Sequence, residues 1–231
     1  METAHTETHL KSSDFITDVV IGMSDGLTVP FALAAGMSSA VSDNDIVTTA
    51  GMAEIIAGSI AMGLGGFLAG KTEQEHYTSE LKREYDEVET VPEREKAEIK
   101  EIFAEYGLSS AAQDMLADEL AKDKDKWVNF MMKYELGLEK PDANRARKSA
   151  LNIGLSYVVG GIIPLVPYFL TNTPIEGLKI SALITVACLF TFGYFKSKVT
   201  GQPLLAGAVK VTLIGTLAAA AAFAVARLIG G

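Results

Sequence analysis

The chain has 231 residues and a formal net charge of −9, long enough for one or two domains whose core needs no staples. One cysteine, Cys188, rules out an intrachain disulfide. A pI near 4.9 without a basic stripe argues against nucleic acid as a partner, because phosphate binding requires clustered Lys and Arg. The mean hydropathy of +0.23 averages two unlike materials. Residues 71–148 hold 34 of the 49 charged side chains (20 acidic, 14 basic), and the other 153 residues hold 15.

Residues 1–12 form a polar tail without the basic region and short apolar run of a secretory signal. His5 and His9 have the spacing of a helical metal pair, but polar termini fray, and no role is assigned to them. Five stretches are long enough to cross about 30 Å of hydrocarbon: 15–41, 46–70, 150–170, 178–195 and 204–229. Backbone polar groups are costly in lipid, so these stretches are expected to be helices. Gly22-x-x-x-Gly26, Gly66-x-x-x-Gly70 and Gly160-Gly161 offer small faces for close helix approach. Glycine is also simply common in membrane helices.

The connections at 42–45 and 171–177 carry no Lys or Arg, whereas Lys71, Arg145, Arg147, Lys148, Lys196 and Lys198 flank the opposite ends of the spans. The positive-inside rule then places the N-terminus and residues 71–148 in the cytoplasm and the C-terminus outside. The middle segment reads as short soluble helices with no strand-like alternation. One is expected over 72–88, with no breaker separating it from the second span. Another is started by Thr90-Val-Pro-Glu93, with Thr90 as cap, and ended by Gly107. A third begins near Ser110. A fourth covers about 125–138, with an apolar stripe of Trp127, Phe130, Met131, Tyr134 and Leu138. The expected fold is all-α. It is a polytopic membrane protein of five spans, with spans 1–2 in 13–70, a cytoplasmic helical domain inserted at 71–148, and spans 3–5 in 149–231.

Few charges remain in the apolar part, and they are the most informative. Asp18 and Asp25 lie seven residues apart in the first span, and Glu54 lies inside the second. An ionised carboxylate in hydrocarbon costs roughly 2.5–3.5 kcal/mol on insertion scales, so it usually faces a pathway or a partner. Asp18 reads equally as a group snorkelling to the inner interface. In an antiparallel hairpin Asp25 falls at about the depth of Met62, and Glu54, Gly58 and Met62 form one stripe on the second helix. Methionine in an apolar helix is usually packing. Its depth match is what singles out Met62, and oxygen with soft sulfur suits a transition metal better than Mg²⁺ or Ca²⁺.

In the charged segment, Glu84-x-x-Glu87 and Glu95-x-x-Glu98 pair carboxylates on single helix faces, and Met131, Met132 and Glu135 cluster on the fourth helix. Like charges so close are relieved by a cation. Glu98-x-x-Glu101 fits the same pattern, and acidic faces are commonly just solvated. Glu73-x-x-His76 has the spacing used in di-iron bundles, which need two copies where this chain supplies one.

The run from Asp25 to Gly36 (DGLTVPFALAAG), the run from Ala53 to Gly66, and Phe130-Met-Met-Lys-Tyr-Glu-Leu-Gly-Leu138 resemble the vacuolar iron transporter family, as does the Gly-Gly-Ile-Ile-Pro-Leu-Val-Pro run at 160–167. The resemblance implies a homodimer of five-span subunits that exports Fe²⁺ and similar divalent ions from the cytosol in exchange for protons. It has no prosthetic group; the metal is the substrate. It also implies a transport path with Asp25, Glu54 and Met62, to which the charge argument adds Asp18. Metal in the cytoplasmic domain would be held by Glu84, Glu87, Glu95, Glu98, Met131, Met132 and Glu135. A membrane-anchored metal buffer or sensor is the rival reading; it explains the glutamates of 71–148 but not Asp25 and Glu54.

Overall fold

The computed structural model describes residues 14–230, so the polar tail with His5 and His9 lies outside the described residues. Eight helices occur among them: α1 (Asp14–Ala40), α2 (Asn44–Thr90), α3 (Pro92–Glu105), α4 (Ser110–Leu120), α5 (Lys124–Tyr134), α6 (Arg145–Leu170), α7 (Pro174–Val199) and α8 (Leu204–Gly230). No strand is present among the described residues. They fall into two compact units, one made of residues up to Leu68 and from Ala146 onward, the other of Ala69–Arg145.

In the first unit five helices, α1, α2, α6, α7 and α8, are long and apolar enough to cross a membrane. Helices satisfy their own backbone hydrogen bonds, so apolar side chains can face lipid. Helices α1 and α6 are the inner pair, each with 44% of its apolar window buried, against 17% for α2 and α8. Ile56, Ile60, Leu64 and Leu68 accordingly form an exposed apolar stripe on α2. The chain is an all-α integral membrane protein.

Close approach to α6 holds this unit together. A Cβ added at Gly22 would overlap the Ile153 carbonyl, one at Gly26 the Tyr157 carbonyl, and one at Gly58 the Tyr157 ring and hydroxyl. The Gly22/Gly26 face and the Gly160-Gly161 pair are thus helix contacts, Gly160 lying against the backbone of α1 and Gly161 against Ile55 and Pro30. Polar ties reinforce them: Ser38 donates to the Ala34 carbonyl (2.7 Å) and to Tyr168 Oη (3.0 Å), and Asn44 Nδ2 donates to the Thr171 carbonyl.

The end of α5 and the start of α7 differ from expectation: α5 stops at Tyr134 and not near 138. Helix α7 begins at Pro174 and not near 178, because Thr173 caps it by accepting from Glu176 N and proline occupies its first turn. As the lack of a breaker after Gly70 allows, the second span runs on through the 72–88 helix as one 47-residue element, α2.

The second unit packs the end of α2 with α3, α4 and α5 around Val88, Ile99, Ala117, Trp127, Val128, Met131 and Met132. Thr90 is not a cap. It is the last residue of α2, and its hydroxyl is committed to the Asp86 carbonyl at 2.8 Å. Val91 holds the N-cap position of α3 without a side-chain bond, and Pro92 starts the helix. Gly107 at φ +78° terminates α3, and Gly137 at φ +64° follows α5, a conformation that only glycine adopts cheaply. The buried face of α5 is rotated from the expected stripe. Val128 and Met132 join Trp127 and Met131 inside, while Tyr134 is half exposed and stacks on Phe130 at 4.8 Å.

Candidate functional site

Three carboxylates meet in the second unit. One oxygen each from Glu84 on α2, Glu95 on α3 and Glu135 just past α5 lie within 4.8 Å of one another. Glu84 and Glu95 are each 1% exposed, held inward by Val88 and Ile99, buried core residues four positions further along the same helices. Glu135 lies at the exposed rim. Burial pushes the Glu84 carboxyl up to about 7, with the negative Glu135, Glu95 and Glu87 adding to it. Burial likewise pushes Glu95 up to about 7, reinforced by Glu98, Glu87 and Glu135. Glu135 is raised by desolvation and then by Glu98 and Glu87.

The other member of each pair is placed differently. Glu87 faces Arg83 (3.5 Å), and Glu98 accepts from Arg94 Nε (3.0 Å). They contribute negative potential beside the cluster while being paired themselves. Glu84 Oε2 is buried without a hydrogen-bond partner among the described residues, an arrangement that costs free energy until a proton or a cation arrives. Met131 and Met132 are fully buried in the core beside Trp127 and Val128. A ring of carboxylate oxygens at this spacing can hold one divalent ion or share protons.

In the first unit Asp18, Asp25 and Glu54 lie on helices that pack against α6. Asp18 is 1% exposed. Its Oδ1 accepts from Ser149 Oγ at 2.9 Å and its Oδ2 from Asn152 Nδ2 at 3.2 Å, so α6 holds it inside the helix bundle rather than at a lipid interface. Glu54 Oε1 accepts from the Tyr157 hydroxyl, while Glu54 Oε2 is buried with no hydrogen-bond partner among the described residues. Gly26 lies against the Tyr157 backbone and Gly58 against its ring and hydroxyl, so α1 and α2 both pack on this residue of α6. Asp25 and Met62 are both half-buried. Tyr157 is the residue that sequence reasoning missed, since an aromatic in an apolar run looks like packing. Its one outward signal is a hydroxyl in a span that also contacts two glycine-bearing helices.

A five-span helical membrane protein with buried carboxylates in its spans and a separate acidic cluster has the make-up of a cation-handling membrane protein. The VIT family model matches residues 16–227, and the chain belongs to this family. The chain is 48% identical over 225 residues to proteins named "Vacuolar iron transporter 1" from Arabidopsis thaliana, Tulipa gesneriana and Oryza sativa subsp. japonica. The matches cover 97% of this chain and 90%, 91% and 89% of the respective relatives. These relatives are named as transporters rather than enzymes.

Proposed function

We propose that this chain moves Fe²⁺, and with it Mn²⁺, Co²⁺ and Zn²⁺, out of the cytosol in exchange for protons. It works as a homodimer with residues 71–148 in the cytoplasm. The single observation that carries this reading is the convergence of Glu84, Glu95 and Glu135. Carboxylates poised near neutrality bind metal only by giving up protons, so the two cations compete at each site. The acidic unit collects metal, with Glu87 and Glu98 setting the potential and Met131 and Met132 adding soft donors once a metal draws them in.

A path at the dimer interface takes the ion past Asp25 and Met62, with Asp18 at one end and Glu54 beyond. Protons arriving from the far side neutralise Asp25 and release the metal there. Membership of a family whose members include named iron transporters supports the cargo. Overlapping ligand preferences make the cargo a class rather than one ion.

The test is divalent-metal uptake into proteoliposomes across an imposed pH gradient. Asp25→Asn is expected to abolish metal-driven proton movement while leaving the protein folded, and normal transport by that variant overturns the reading. Glu84→Gln with Glu95→Gln is expected to raise the half-saturating metal concentration without stopping transport. A buffer or sensor would show metal binding with no uptake at all.

A further inference from the structure

Two six-residue segments of the acidic unit repeat one pattern: Arg83-Glu-Tyr-Asp-Glu-Val88 near the end of α2 and Arg94-Glu-Lys-Ala-Glu-Ile99 in α3. Equivalent positions have the same fate in both. The first glutamate, Glu84 or Glu95, is buried in the carboxylate cluster, and the closing Val88 or Ile99 is buried in the core. The second glutamate, Glu87 or Glu98, pairs with the arginine four residues before it. The transport reading gives the two arginines no role.

Arg83 reaches beyond its own pair. Its Nη2 lies 2.8 Å from Glu80 Oε2 and 3.9 Å from Glu84 Oε1, and its Nε lies 3.5 Å from Glu87 Oε2. One guanidinium therefore spans three carboxylates along α2. Arg94 Nε lies 3.0 Å from Glu98 Oε1. Burial is the main force raising the Glu84, Glu95 and Glu135 carboxyls, and the cations opposing it are Arg83 at Glu84, Arg94 at Glu95 and both at Glu135. The charge of both arginines is thus felt inside the cluster.

Yet both stand on the outside, Arg83 52% and Arg94 66% exposed. Glu84 Oε2 remains buried with no hydrogen-bond partner among the described residues. A planar guanidinium anchored at the rim offsets negative charge without satisfying that inner oxygen. A compact divalent ion does both, and it competes with the arginines for the surrounding glutamates.

We propose that Arg83 and Arg94 are built-in counter-ions that a divalent metal displaces from Glu80, Glu87 and Glu98 as it enters the cluster, so that this chain's own cations limit the affinity of the site. The inference rests on the collecting role proposed for the cluster. Freeing the outer glutamates costs part of the metal's binding free energy, and the cluster holds its ion without trapping it.

Isothermal titration of the purified full-length protein with Mn²⁺ at pH 8 tests it. The R83Q/R94Q variant is expected to bind Mn²⁺ on the order of tenfold more tightly than the parent, the scale of two unit charges acting on a divalent ion across a solvated rim. R83K/R94K keeps the charge without the planar fork and is expected to stay near the parent. So is Lys122→Gln, which removes an equal charge from the exposed pair with Glu119. In thermal melts R83Q/R94Q is expected to fall below the parent without Mn²⁺, because three glutamates lose their counter-ions, and to match it at saturating Mn²⁺. Arginines with a merely structural role would lower both.

Equal or weaker Mn²⁺ binding by R83Q/R94Q, equal tightening in R83K/R94K, or the same loss of melting temperature with and without Mn²⁺ overturns the inference. If the double variant does not fold, Arg83→Gln alone carries the test, with tighter binding expected and unchanged or weaker binding overturning it. A parent chain that binds no Mn²⁺ overturns the collecting role and this inference together. A parent that binds Mn²⁺ but fails these comparisons leaves the transport reading standing.

Discussion

The two units bury acids in opposite ways. In the membrane unit Asp18 and Glu54 accept from neutral donors on α6, Ser149 and Asn152 for Asp18 and Tyr157 for one oxygen of Glu54. In the second unit Glu84, Glu95 and Glu135 are turned toward one another. Neutral donors stabilise the charged form one site at a time, whereas mutual repulsion makes the charged form conditional on a cation. The difference teaches that burial alone does not define a cation site. What surrounds the carboxylate decides whether it is a fixed charge or an exchangeable one.

The core materials differ in parallel. Small residues let backbones touch in the membrane unit, while Trp127, Met131 and Met132 fill the centre of the other.

The largest effect should come from the membrane unit's packing. Gly26→Leu drives a side chain into the Tyr157 backbone, which cannot yield without moving α6. Little or no monodisperse protein is expected on size-exclusion chromatography, and a normal yield would break the contrast.

Next comes Glu84→Gln with Glu95→Gln. Both acids have folded-state pKa values raised from 4.5 to about 7. The apo protein is therefore penalised as pH rises from about 4.5 through 7, and the penalty is absent below 4.5. The melting temperature of the parent should fall between pH 5.5 and 8 by about 5 °C more than that of the double variant. Mn²⁺ should restore it at pH 8 in the parent alone.

Smaller again is Tyr157→Phe, which leaves both Glu54 oxygens without a donor and should cost about 1–3 kcal/mol in thermal or denaturant stability. The least effects are at helix ends. Asp123→Ala removes the α5 cap and should cost about 1 kcal/mol, while Thr90→Val should stay within about 0.5 kcal/mol because Thr90 caps nothing.

Much of this contrast was legible in the residues. Charge density marked residues 71–148, and unbroken apolar runs marked the spans. The absence of a breaker after Gly70 foretold that the second span could run on into the next helix. What could not be read was the choice within each pair. Glu84 and Glu87 share a helix face, as do Glu95 and Glu98. Which of each pair points inward depends on how Val88 and Ile99 seat their helices in a core built from four elements. Thr90 misled because a capping sequence and a helix-ending sequence overlap there, and the continuing helix took the hydroxyl first. Tyr157 was hidden for a related reason: its partner Glu54 lies 103 positions away in the chain, and nothing local links them.

The glycine contacts with α6 also bear on how the membrane unit comes together. Where backbone meets backbone, no rotamers remain to be frozen, because glycine brings no side-chain entropy to lose and the helix has already fixed the main chain. Association of α1, α2 and α6 is thus limited mainly by shape, with a single methyl group as the grain of discrimination. At these positions the sequence should tolerate almost no change in volume.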